Sequence, residues 1–276
     1  MTIEHELTVL ENGRAARYYW QDVWLHRELL VFLMWRDLLV RYKQTVVGAS
    51  WVLLKPFLTM LVFTFVFGRV ANLASGTTPY ALIVFTGLLP WYFFANALGD
   101  CSGSLVANGP LISKIYFPRL IVPLSSVAVS AVDFLITFLL LFLVMAWYRF
   151  VPSWHMVFLP LFALLEAAIA LGLGLWTSAL TVRFRDFRHL IPFLLQLGVY
   201  ASPVGYSAAI LPHKWRMLYS LNPMVAVIDG FRWGVLGGAN TLYWPGQMLA
   251  VIMATVFLLS GVRYFRRAES TFVDVI

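Results

Sequence analysis

The sequence predicts an all-α membrane protein with six transmembrane helices per subunit and both termini inside, an N-terminal amphipathic interface helix, and an outer re-entrant helical hairpin between spans five and six. Three observations carry this. Hydrophobic residues make up 61% of the chain and charged residues only 12%, with a mean hydropathy of +0.80, far outside the range of soluble domains. Apolar runs of bilayer length recur from about residue 51 to residue 262. The Lys and Arg residues collect on alternate connectors. The expected division is a cytoplasmic N-terminal segment over 1–50, a transmembrane domain over 51–268 and a cytoplasmic tail over 269–276.

The start, Met1 to Glu6, is acidic and polar and lacks the basic start, short apolar core and small-residue cleavage site of a secretory signal, so the N-terminus is expected to be retained. Residues 18–44 are rich in Tyr, Trp and Leu but broken by charge. At 100° per residue Asp22, His26, Asp37 and Arg41 fall on one arc, while Trp24, Leu25, Phe32 and Trp35 lie elsewhere. That pattern suits a helix along the membrane interface and, equally, one packed on the protein's own bundle.

The spans are expected at 51–69, 80–105, 120–147, 154–181, 190–206 and 245–262, the fifth being the shortest against a requirement of about 20 residues. With both termini inside, 15 of the 20 basic residues fall on the inner side, which sets the orientation. Sidedness also accounts for the net charge of +7, so nucleic acid is not implied.

Between spans two and three, Asn108 offers a helix cap, Pro110 suits a first turn and Pro118 disfavours helix at Phe117, leaving about two turns. Leu111 and Ile115 share one face and Ile112 and Tyr116 the next, flanked by Lys114 and Arg119. This is too short to span, and it reads as a docking element for another protein.

Between spans five and six, residues 224–238 are apolar enough to enter the bilayer but hold Asp229 and Arg232, which suits a re-entrant hairpin shielded by protein. Gly230, Gly234 and Gly238 recur every four residues, a stripe that serves close helix packing or a moving gate.

Enzymatic chemistry is not indicated. The four lysines are followed by Gln44, Pro56, Ile115 and Trp215, so no phosphate-cradling P-loop is present, nor an HExxH or a G-x-S-x-G elbow. One cysteine, Cys101, excludes an internal disulfide and a thiolate-rich metal site. Asp133 and Glu166, near the centres of spans three and four, are candidates for a polar lining or a proton relay, although no Lys, Arg or His at midspan offers either a partner. Phe57, Trp91 and Tyr92 are candidate channel-lining aromatics, as sugar rings stack on aromatic faces; interfacial belts explain many of the other aromatics.

Several motifs occur together in order: Arg36 to Lys43, Val47-Gly48, Trp51 to Pro56, Gly87 to Trp91, Leu111 to Arg119, Ala201 to Val204 and Leu221 to Met224. With them the chain resembles, over nearly its whole length, the permease subunit of polysaccharide ABC exporters, in the O-antigen, capsule and teichoic-acid branch of the type-2 transporters. The resemblance implies a homodimer in the bacterial inner membrane with two copies of a separate ATPase, which binds ATP and magnesium; this chain itself needs no cofactor. It implies export of undecaprenyl-diphosphate-linked polysaccharide, with O-antigen ahead of capsule or teichoic acid. A drug exporter of the same family and a proton-coupled secondary transporter are the alternatives.

In that arrangement Leu111, Ile112, Lys114, Ile115, Tyr116, Phe117 and Arg119 form a coupling element in the ATPase groove, and Val182 to Arg188 the other cytoplasmic loop. Pro223, Asp229, Gly230, Arg232 and Gly234 belong to the outer gate. Arg36, Arg41, Lys43 and Lys55 at the inner mouth suit either the lipid pyrophosphate or anchoring to anionic lipid.

Overall fold

The computed structural model describes residues 19–43, 50–70, 78–207, 212–237 and 242–272, which form helices and turns with no strand among them. The acidic start, Val47-Gly48, Gly238 and the last residues of the tail lie outside the described residues.

In chain order the helices are α1 (Tyr19–Leu25), α2 (Arg27–Lys43), α3 (Ser50–Phe63), α4 (Tyr80–Ala107), α5 (Gly109–Ile112), α6 (Ile121–Trp147), α7 (Leu159–Arg183), α8 (Phe187–Ala201), α9 (His213–Tyr219), α10 (Pro223–Leu236) and α11 (Trp244–Ala268). A widened helical turn, Thr64–Val70, extends α3, and tight turns at Trp154–Phe158 and Glu269–Thr271 precede α7 and follow α11.

Among the described residues five segments are long and apolar enough to cross a membrane: Ser50–Val70, Tyr80–Ala107, Ile121–Trp147, Trp154–Arg183 and Trp244–Ala268. They match five of the six expected spans. The segment expected at 190–206 is instead the 15-residue α8, about 22 Å long against a hydrocarbon core of about 30 Å. Its end has a local cause. Ser202 precedes Pro203 and is extended, with φ −105° and ψ 151°, as the proline ring demands of the residue before it.

α4 is the central helix, packed against α3, α6, α7, α8 and α10, while α11 lies along α7. Apolar side chains gain little by moving from lipid into a bundle, so close backbone approach has to supply much of the cohesion. Gly172 of α7 meets α11 in this way: a Cβ there would fall 2.5 Å from the carbonyl carbon of Phe257. The core of the bundle gathers Phe85 and Leu88 of α4, Leu141 of α6, Ile169 of α7 and Phe231 of α10. A second core at the connector end joins Leu33, Leu105, Ile112, Phe117, Leu175 and Phe265.

α2 packs on the bundle along one side and leaves its other side exposed. Leu33 and Leu38 are buried and the helix lies against α6, whereas Trp24 of α1 and Val31, Phe32, Trp35 and Leu39 of α2 stay exposed. The aromatic side is thus turned away from the bundle.

α10 is buried on nearly all sides. Asn222 caps it, its Oδ1 accepting from the Met224 amide at 3.0 Å, and Pro223 occupies the first turn. Gly234 backs onto Leu159, whose Cδ2 would lie 2.6 Å from an added Cβ, and Gly230 backs onto Phe162. At these two positions the small-residue repeat is a packing surface. The helix ends at Gly237, whose φ of 83° is costly for any residue with a Cβ.

Candidate functional site

The connector between α4 and α6 holds one turn of helix rather than two. Asn108 ends α4 and α5 follows; Ser113 donates its amide to Gly109 O at 3.0 Å and Ile115 to Leu111 O at 3.1 Å, after which the chain turns toward Pro118. Its side chains divide by direction. Ile112 and Phe117, only 5% and 4% exposed, enter the second core. Ile115 and Tyr116, 55% and 60% exposed, project outward beside exposed Lys114, with Leu111 half-buried. The connector thus presents an apolar pair next to a cation, held out by two buried anchors.

Both ends of this surface are fixed. At the start, Arg36 of α2 donates from Nη2 to Asn108 Oδ1 at 2.6 Å and pairs with Asp37 at 2.7 Å. At the end, the Arg119 amide donates to Glu269 Oε1 at 2.9 Å, and its guanidinium donates to Glu269 O. Burial raises the Glu269 carboxyl above the ordinary carboxylate range, against the opposing pull of its contacts with Arg119, Tyr19 and Arg266. The Tyr19 phenol is raised as well, first by burial and then by Glu269. Arg119 therefore faces the protein's own tail. Glu269 and Tyr19 are absent from the expected set, because nothing local in the sequence points from either to residue 119.

A second constellation lies under α2. Arg41 pairs with Asp100 of α4 at 2.6 Å and with Asp133 of α6, while Tyr42 donates its hydroxyl to Asp133 and Ser130 donates to Asp100 at 3.2 Å. Burial alone would lower the Arg41 pKa, but the two carboxylates outweigh it and raise the value. Burial and the Asp133 bond push the Tyr42 phenol up, so it remains a neutral donor. No midspan cation is expected to partner Asp133, and the partner comes instead from α2, 92 residues away in sequence. Asp100 was legible too, as a carboxylate inside an apolar span.

Beside this cluster is a cavity of about 300 Å³ lined by Trp51, Lys55, Tyr92, Asn96, Asp100 and Thr137, among others. Tyr92 hydrogen-bonds Thr59 at 2.7 Å, and Lys55 Nζ lies 5.4 Å from its ring centre. Lys55 and Lys43 are exposed, whereas Arg36 and Arg41 are engaged within the protein. Of the other aromatics, Trp91 is buried against Gly198 of α8, and Phe57 sits on the exposed side of α3.

Glu166 of α7 is fully buried; its Oε1 accepts from the Phe94 amide at 3.1 Å, and its Oε2 has no partner among the described residues. No hydrogen bond or ion pair among the described residues links it to Asp133.

At the opposite end, Arg232 of α10 is 2% exposed and donates to Tyr206 O at 2.6 Å, Val204 O at 2.7 Å and Ile83 O at 3.3 Å. Tyr80 donates to Gly205 O, and Asn222 Nδ2 to Ser202 Oγ at 2.9 Å. Two of the Arg232 bonds and the Tyr80 bond satisfy carbonyls of the irregular backbone at 204–206. Asp229 stands within electrostatic reach of Arg232 and Arg216. Among the described residues no group of three His, Cys, Asp or Glu is placed to hold a metal ion.

Residues 28–236 match the ABC-2 type transporter family. The chain is 29% identical over 237 residues to an O-antigen export system permease protein of Klebsiella pneumoniae, covering 83% of this chain and 91% of that protein. With a protein of the same description from Myxococcus xanthus it shares 31% identity over 215 residues, 77% and 82% of the two chains. A capsule polysaccharide export inner-membrane protein of Neisseria meningitidis serogroup B is 21% identical over 250 residues, 88% and 92% of the two. With a match across most of its length and five helices able to cross a bilayer, the chain belongs to the ABC-2 type transporter family as a multi-pass permease of the inner membrane.

Proposed function

We propose that this chain is the channel-forming subunit of an exporter for lipid-linked polysaccharide, O-antigen ahead of capsular polysaccharide and teichoic acid. It works as a homodimer with two copies of a separate ATPase that binds ATP and magnesium. The observation that carries the reading is the outward surface of Lys114, Ile115 and Tyr116, set on buried Ile112 and Phe117 and tied at both ends to other helices. A rigidly held surface of this kind transmits a partner's movement, and the chain has no P-loop of its own. The export functions named for the relatives support the substrate class.

In this arrangement α8 and residues 202–206 make the fifth of six crossings, α9 and α10 form the re-entrant outer hairpin, and both termini are cytoplasmic. Exposed apolar side chains on α3 (Trp51, Leu58, Val62) and on α8 (Phe193, Leu197, Tyr200) suit a second copy of the chain across a shared channel. With Arg36 and Arg41 occupied, Lys43 and Lys55 remain for a lipid phosphate at the inner mouth. Reconstituted vesicles test the whole. Lipid-linked glycan should cross only with both the partner ATPase and ATP present, and crossing without the ATPase would favour a secondary transporter.

A further inference from the structure

We infer that the junction of α1 and α11 is a binding site for the headgroup of an anionic phospholipid. A recess of about 760 Å³ lies there, walled by Trp20, Leu259 and Val262 on its apolar side and by Arg263, Arg266 and Arg267 on its polar side. Among the described residues no carboxylate lines it.

The helix that leads into the recess explains what it takes. Met248, Ile252, Val256 and Leu259 are exposed along one side of α11 at steps of three and four residues, an apolar stripe turned toward hydrocarbon. The next positions on the same stripe are Arg263 and Arg267, both exposed and neither in an ion pair among the described residues. Acyl chains fit along the stripe and a phosphate fits at the two guanidinium groups, with exposed Trp20 at headgroup depth. Arg266 stands over the Tyr19 ring, 4.5 Å from its centre, and so holds α1 in place as the other wall.

Arginines in the last turns of a helix also complement its dipole. That effect is indifferent to direction around the axis, however, whereas these three share one side and face Trp20. Arg263 and Arg267, side by side in a recess that no carboxylate lines among the described residues, select an anionic lipid over a zwitterionic one. The inference is independent of the cargo and of the partner ATPase.

Native mass spectrometry of the purified full chain, titrated separately with cardiolipin, phosphatidylglycerol, phosphatidylcholine and undecaprenyl phosphate, is the test. Cardiolipin and phosphatidylglycerol should bind and phosphatidylcholine should not at the same concentration. R263Q combined with R267Q should weaken cardiolipin binding roughly thirtyfold, and R263K with R267K should retain it. Equal binding by the glutamine variant, equal binding of phosphatidylcholine, or displacement of cardiolipin by equimolar undecaprenyl phosphate would overturn the assignment. Should the glutamine variant fail to insert, brominated lipids decide the point: phosphatidylglycerol, but not phosphatidylcholine, should quench the fluorescence of Trp20, read against W20F.

Discussion

The backbone amide of Arg119 donates to Glu269 Oε1 at 2.9 Å, joining residues 150 positions apart and tying the end of the α4–α6 connector to the end of α11. Together with the Arg36–Asn108 bond at the connector's start, it couples one outward surface to α2, α4 and α11 at once. Under the proposed function, a push on Ile115 or Tyr116 by the partner reaches α2, α4 and α11 through these two bonds.

Glu269→Gln should preserve the bond to the Arg119 amide, since the side-chain oxygen is kept, whereas Glu269→Ala should cost about 1–3 kcal/mol by leaving that donor unmet. The pH dependence has a definite sign. Because the folded pKa is raised above the unfolded value, this group's stabilising contribution is complete below pH of about 4.5 and is lost as pH rises through the folded pKa. Thermal unfolding followed between pH 4 and 8 should show that loss in the parent chain and not in the glutamine variant.

Ile112→Asp and Ile115→Asp, three residues apart, should fail differently. The first places a charge in the second core and should destabilise the permease itself, by about 3 kcal/mol or more. The second should leave insertion and unfolding unchanged and remove co-purification with the ATPase. Measuring unfolding and co-purification on both variants separates anchor from contact.

Arg41→Gln should leave Asp133, which is almost fully buried, with the Tyr42 hydroxyl but no cation. Loss of a wholly buried partner costs about 3–5 kcal/mol; Arg41 is one-third exposed, so about 2 kcal/mol is expected. Combining Arg41→Gln with Asp133→Asn should recover much of that stability, and a double-mutant cycle on thermal unfolding reads the coupling directly.

Arg232→Met, similar in length and without donors, should leave the carbonyls of Val204 and Tyr206 short of hydrogen bonds, at about 1–3 kcal/mol for each one left unsatisfied. Amide exchange should then rise first in residues 202–206, ahead of α4.

What the sequence revealed followed the range of its signals. Five spans were legible because each is a long apolar run with few charges, and the turn at 108–118 because Pro110 and Pro118 bracket it. The end of α8 at Ala201 was not drawn, though the Ser202-Pro203 pair that causes it is local. The aromatic face of α2 was readable from its period, but the destination of its charges was not. Arg41 reaches Asp100 and Asp133 over 59 and 92 residues, and a basic residue before a span reads the same whether it meets lipid phosphate or a carboxylate. In the connector the period placed Ile112 and Tyr116 together. The turn after Ser113 separates them, sending one inward and the other out.

Thiol accessibility at the connector tests its role most directly. The single native cysteine, Cys101, is fully buried, so Ile115→Cys supplies one reactive thiol on the outward surface. Maleimide labelling of that variant should be rapid in the permease alone and at least about tenfold slower once the ATPase is bound, as burial at an interface closes access to the sulfur. Equal labelling rates in the free permease and the assembled complex would contradict the assignment of this surface as the joint between the two.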